Sequence, residues 1–331
     1  MHKRLFRAAA AMLVALFTAC ACAEGGNLPP SPEPPPANIE RPTPAPTAVP
    51  TETIIDHVHS PEVYPGFSFQ ENKKLLDIWI PNIKDADEAV LLYDGEVWMI
   101  DCADDKSSAR GVEMLRQLGI RRIDVLFNTH PHHDHIDGLA RTGEAAEIGE
   151  IRICFPPDVT QSGLIMLQTA SELKIPLKEY GDGDRFTMGD GAVEMQVLKN
   201  DDESLDINNQ SAVMRITYGE RSILFSADME FSGQEAMIGR TGPEPLKCDI
   251  VKYPHHGKSD MYEPFYEAME AKLAVVTSFE GRSDRGQRML SNKHLPAIFT
   301  SVRDRFTHLV TDGEYWLCEQ VEIKAEKNDE Q

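Results

Sequence analysis

This chain has few of the features that would make its function easy to place. Its leading apolar run, Ala8–Phe17, is far shorter than the roughly 20 residues a membrane-spanning helix needs, so that segment is not read as a span. It lacks paired cysteines. Beyond the leader, Cys102, Cys154, Cys248 and Cys318 stand far apart, which excludes a thiolate zinc site and reads as small buried residues. Export would permit a disulfide, but no pairing can be deduced from sequence. Basic charge is scarce: 33 Lys and Arg face 54 Asp and Glu, a net charge of −21. A protein that tracks the phosphate backbone of nucleic acid presents a basic surface, so that class is disfavoured. Hydrolysis of one phosphodiester at a time stays open, because bound cations would supply the positive charge locally. No internal repeat is visible, which excludes a solenoid.

What is present begins with the ends. Lys3, Arg4 and Arg7 precede the Ala8–Phe17 run, the pattern of a secretion signal over residues 1–23. Removing those three positive charges takes −21 to −24. Phe17-Thr18-Ala19-Cys20 resembles a lipoprotein processing site, which would leave Cys20 as a lipid anchor in the membrane of an extracellular protein. Cleavage after Ala21-Cys22-Ala23 is the alternative and would release the chain freely. Residues 24–70, dense in proline as far as Pro50, read as a disordered spacer. A single folded domain is expected over residues 71–325 and a short tail over 326–331.

The densest chemistry lies at Thr129-His130-Pro131-His132-His133-Asp134-His135, which holds four of the eleven histidines. Ile123-Asp124-Val125-Leu126-Phe127 reads as a buried strand, and the polar cluster starts where that strand must end. Imidazole and carboxylate suit zinc and similar divalent ions, and a loop at a strand end can converge several of them. His130 and His132, two apart, can share a face and hold one ion. Asp134 and His135 follow a turn and can hold a second.

This text resembles the metallo-β-lactamase superfamily, whose signature is His-x-His-x-Asp-His at a strand end. Three further stretches match in order. Val97-Trp98-Met99-Ile100-Asp101 resembles the first motif, Ile223-Leu224-Phe225-Ser226-Ala227-Asp228 the strand of a metal-bridging aspartate, and Asp249–Gly257 the last ligand strand. Gly183–Gly189, Asn208–Val213 and Pro254-His255-His256-Gly257 are similar to the extracellular hydrolase domain of the bacterial DNA-uptake channel and, more distantly, to phosphorylcholine esterases. Asn292–Pro296 loosely resembles that branch's late motif.

The resemblance implies an α/β fold, an αββα sandwich of two mixed sheets with outer helices. It implies two divalent ions, zinc or manganese, held by His130, His132, Asp134, His135, Asp228 and His256. A metal ion of this kind lowers the pKa of its water from about 15.7 toward 7. Asp134 and His255 are the expected catalytic residues. His256 is taken as the ligand and His255 as the group facing substrate, although the two could exchange roles. Asp101 is expected behind the ligands, fixing an imidazole. The chain has no histidine between His135 and His255, where most two-metal members have one. Asn208, Asn209 and Ser211 occupy that region, and neutral oxygen is a weaker ligand for zinc than imidazole. The His130–His132 ion is therefore expected to be the weaker one. His294 is a candidate substrate contact. His133 is expected to face solvent, His57, His59 and His308 to be surface residues, and Trp79, Trp98 and Trp316 to be core and not an aromatic cage.

The expected function is a secreted, lipid-anchored metal-dependent hydrolase of phosphodiesters, in nucleic acid or a cell-wall polymer, with no stable protein partner. A lactone or amide hydrolase, or a binding lipoprotein on the same scaffold, are the alternatives. Strands are expected at Leu75–Ile80, Ala89–Tyr93, Val97–Asp101, Ile123–Asn128, Ile151–Phe155, Val193–Leu198, Ala212–Tyr218, Ser222–Ser226, Ile250–Tyr253 and Leu273–Thr277. Helices are expected at Ser107–Leu118, Ser162–Leu173, Phe231–Ile238 and Tyr262–Ala271.

Overall fold

The computed structural model describes residues 58–59, 68–282 and 284–322. The leader, Cys20, His57, most of the proline-rich segment and the tail lie outside the described residues. Period-two alternation builds two mixed sheets. The first runs in the order β1 (Val58–His59), β16 (Trp316–Glu322), β15 (Arg305–Thr311), β2 (Leu76–Ile80), β3 (Glu88–Tyr93), β4 (Glu96–Cys102), β5 (Arg122–Asn128), β6 (Glu147–Ile153) and β7 (Leu177–Glu179). The second runs β14 (Ala297–Phe299), β13 (Leu273–Val276), β12 (Ile250–Lys252), β11 (Arg221–Phe225), β10 (Val213–Tyr218), β9 (Val193–Leu198) and β8 (Arg185–Met188). Val58–His59, expected in the spacer, instead pair in parallel with Trp316–Leu317.

Leu76, Ile78 and Leu91 of the first sheet meet Met195, Ile223, Ile250 and Val275 of the second in one buried layer. Trp98 and Trp316 belong to this layer, and Trp79 is buried as well, as expected of core. The opposite face of the second sheet, at Val213, Leu224, Val251 and Ala274, packs with Met237, Phe265 and Leu290. These side chains come from three helices, Phe231–Thr241, Glu263–Met269 and Arg285–Lys293. Four earlier helices complete the α-helices of the described residues: α1 (Ser108–Gln117), α2 (His133–Ile136), α3 (Leu139–Ala145) and α4 (Gln161–Glu172); the later three are α5, α6 and α7. α2 packs on β4, and α3 on β6. Sheet on sheet between helical layers is the αββα sandwich. No helix among the described residues is long and apolar enough to cross a membrane.

β4, β5 and β6 pair in parallel in one sheet, and β11, β12 and β13 in the other. Ligands in α/β sheets gather beyond the carboxyl ends of such strands, and the polar segments of this chain follow the ends of β4, β5, β11 and β12.

Candidate metal centre

Three of these strand ends, those of β4, β11 and β12, are turned sharply. Asp101 (φ 55°), Ala103 (φ 59°), Ala227 (φ 45°), His255 (φ 47°) and His256 (φ 54°) are all left-handed without being glycine. Such a conformation costs an L-residue about 1–2 kcal/mol, and it persists only where the surroundings over-determine it. Here they do. Asp101 accepts from the Thr129 amide (2.8 Å) and hydroxyl (2.7 Å) and from Asn128 Nδ2 (3.1 Å). The His255 amide donates to the Ala227 carbonyl (3.0 Å), tying the ends of β11 and β12 together.

These turns bring Asp134, His135, Asp228 and His256 together, with one ligand atom from each lying within 4.8 Å of the others and all four residues buried. His135 Nε2 and His256 Nε2 stand 3.3 and 3.4 Å from Asp228 Oδ2, and His256 Nε2 is 3.4 Å from Asp134 Oδ2. Both Nε2 atoms are buried without a hydrogen-bond partner. Both rings are held from behind: His135 Nδ1 meets Asp101 Oδ2 (2.7 Å), and His256 Nδ1 meets the Thr277 hydroxyl (2.9 Å), which donates to Asp87 Oδ1 (2.8 Å). Bonding at Nδ1 leaves the Nε2 lone pair free and aimed at the carboxylates. Orphaned nitrogens facing two carboxylates are the donor set of a divalent-ion site, and these residues fit one.

Electrostatics agree. Burial pushes the His135 and His256 pKa values down, but Asp228 with Asp101 or Asp87 outweighs it, raising His135 well above its usual value and His256 to about 10.

His130 and His132 form a separate pair, with His130 Nε2 3.1 Å from His132 Nδ1. Burial, then the neighbouring His135 charge, lowers both pKa values, so both rings are neutral and ready to ligate. Asn208 sits against His132, with its amide oxygen buried and unpartnered. The Ser211 hydroxyl is also buried without a partner. Asn209 does something else: its Oδ1 accepts from the Gly233 amide (2.7 Å) and its Nδ2 donates to Asp206 (3.0 Å), fastening the loop to α5.

His255 stands beside the cluster, not within it. Its Nδ1 meets Glu230 Oε1 at 2.6 Å, while Nε2 lies 3.8 Å from Asp228 Oδ2, and its side chain is 18% exposed against 0% for His256. Neither histidine lies on a strand; the left-handed turn after β12 separates their directions. His133 is exposed. His294 is the exposed left-handed end of α7, outside the gathered cluster. The surface expectation fails for His308. It is 5% exposed, stacks on Trp79 at 3.8 Å, and is bonded to Asp77 (2.9 Å) and Glu319 (3.0 Å).

Sequence reading missed Asp87, Glu230, Lys252 and Thr277. One signal was available: Lys252 ends an otherwise apolar strand, and a lysine there must find a buried partner.

Candidate ligands gathered at the strand ends of an αββα sandwich make a divalent-ion type of centre, and the chain belongs to the metallo-β-lactamase superfamily, whose family model matches residues 89–281. Members of that superfamily are mostly metal-dependent hydrolases. Among curated proteins the chain is similar to competence protein ComA of Neisseria gonorrhoeae, 24% identical over 174 residues, which are 50% of this chain and 22% of the relative. The chain thus spans about a fifth of the length of the curated relative it matches. Among solved structures it is similar to the metallo-β-lactamase fold protein YhfI of Bacillus subtilis (TM-score 0.44, 14% identity, 69% of this chain and 96% of that one). It is also similar to CmlA, a diiron β-hydroxylase of Streptomyces venezuelae (TM-score 0.45, 15% identity, 69% and 53%).

Proposed function

We propose that this chain is a metal-dependent phosphodiesterase, exported and held at the membrane through Cys20, with residues 24–70 as spacer to the hydrolase domain over 71–325. The observation that carries the hydrolase reading is the pair of unpartnered Nε2 atoms of His135 and His256 facing Asp228 and Asp134. Two divalent ions, zinc or manganese, held by these four residues and by His130 with His132, would acidify water and neutralise charge on a substrate oxygen.

The remaining steps belong to side chains. Asp134 and Asp228 hold negative charge at the centre. His255, oriented through Nδ1 by Glu230, turns Nε2 toward the cluster, where it stabilises charge on the phosphoryl oxygen or protonates the leaving group. Its partial exposure leaves room for substrate. The resemblance to the DNA-uptake hydrolase domain, together with the similarity to a competence protein, supports a phosphodiester. The net charge of −21 favours action on one bond at a time over tracking along a polymer.

The test is hydrolysis of bis-p-nitrophenyl phosphate by the full chain with added manganese or zinc. The Asp134→Ala/His135→Ala double variant should abolish turnover. His255→Ala should lower kcat by about a hundred- to ten-thousandfold. Bound metal without turnover would move the assignment to ester, lactone or amide substrates. Absence of bound metal would leave a binding lipoprotein.

A further inference from the structure

Behind the four-residue cluster lies a buried ion pair that its chemistry does not use. Lys252, the last residue of β12, is 2% exposed, and its ammonium donates to Asp87 Oδ2 and to the Ala227 carbonyl (3.0 Å). Desolvating two charges is costly, and such a pair seldom stabilises a fold better than well-packed apolar residues of the same volume. Its placement calls for another role.

The pair reaches every member of the cluster from the side away from the ion. Asp87 Oδ1 lies 3.2 Å from His256 Nδ1, and Oδ2 lies 3.9 Å from His135 Nδ1. The Asp87 amide donates to the Asp134 carbonyl (3.0 Å). Lys252 Nζ stands 3.7 Å from Asp228 Oδ1, the oxygen that has no hydrogen-bond partner, while Oδ2 faces the imidazoles. One short segment before β3 and one residue of β12, 165 positions apart, thus touch ligands from α2, β11's end and β12's end together.

We propose that the Asp87–Lys252 pair is the positioning element of the metal centre. Lys252 draws Asp228 Oδ1 back and leaves Oδ2 toward the imidazoles, while Asp87, with Thr277, fixes the His256 imidazole, and its amide holds the backbone of Asp134. The inference rests on the metal-centre reading above.

The test compares the full chain with Asp87→Asn, Lys252→Met and the double variant, by chelator competition for manganese and zinc and by the visible spectrum of the cobalt(II) form. Each single change should weaken the tighter ion by about ten- to a hundredfold and shift the cobalt bands. The double variant should lose less than the two losses multiplied, since it leaves no unpaired buried charge. Asp87→Asn keeps the shape of the site, and decides the matter if Lys252→Met does not fold. Unchanged affinity and cobalt bands in folded Asp87→Asn, whatever its Tm, would overturn the proposal and leave the pair structural only. Failure of the unsubstituted chain to hold any ion would remove the metal-centre reading and this proposal with it.

Discussion

Two groups of candidate ligands begin within the same six residues, His130–His135, yet the fold treats them differently. Asp134 and His135 join Asp228 and His256 in a buried cluster with carboxylates and a lysine behind it. His130 and His132 have each other, the Thr129 hydroxyl at 3.2 Å from His130 Nδ1, the His135 ring at 4.1 Å from that of His130, and the Asn208 amide beside His132. One position carries anionic ligands and fixed imidazoles; the other offers neutral nitrogens and a neutral oxygen. Binding strength for a divalent ion follows anionic donors and their outer support, so the two positions should fill in sequence.

The largest expected effect comes from removing a ligand on either side of that contrast. His135→Ala should weaken the tighter ion by at least about a hundredfold, whereas His132→Ala should cost one ion per chain and leave the other in place. Metal counted per chain after dialysis distinguishes them, and equal losses in both variants would break the comparison.

Acidity separates the positions next. His256, at about 10 without metal, and His135, also raised, must each give up a proton to an ion. Affinity at the cluster should therefore rise about ten- to a hundredfold per pH unit between roughly pH 7 and 9. His130 and His132 have lowered pKa values and are already neutral, so the weaker ion should show a flat profile there. Titration calorimetry in buffers of different ionisation enthalpy counts the released protons.

The smallest effect belongs to a histidine away from both sets. Burial lowers the His308 pKa, but its bonds to Asp77 and Glu319 outweigh that and raise it above 6.5. A raised pKa in the folded state stabilises fully below the unfolded value and is lost as pH rises through the folded one. His308→Gln should cost about 1–3 kcal/mol at pH 5–6 and less at pH 9, as read by urea unfolding; a pH-independent loss would show that packing on Trp79 is what matters.

The four expected helices and the ten expected strands all appear within a few residues, because their apolar positions recur at the helical or strand period. The late strands did not read. In β15 every residue but the first is buried, yet Thr307, His308 and Thr311 are polar and break the pattern. β14 is three residues long, and α7 buries only Met289 and Leu290 among its apolar side chains. At the centre, His130 to His135 were legible because their neighbours in sequence are their neighbours in space. Asp87 and Lys252 were not, since their meaning depends on a partner 165 positions away.

The sequence by itself determined which ligand types this protein carries, where the strands that deliver them end, and that its middle region lacks a histidine. These are local facts, set by side-chain chemistry and by the periodicity of burial. Only the tertiary structure decided which imidazole nitrogen faces the gathered carboxylates, that His256 turns inward while His255 stays at the rim, and that a buried lysine stands behind the Asp228 carboxylate. Those outcomes depend on backbone turns with positive φ and on charges from separate strands brought into one desolvated space, where an unpaired charge is too costly to persist.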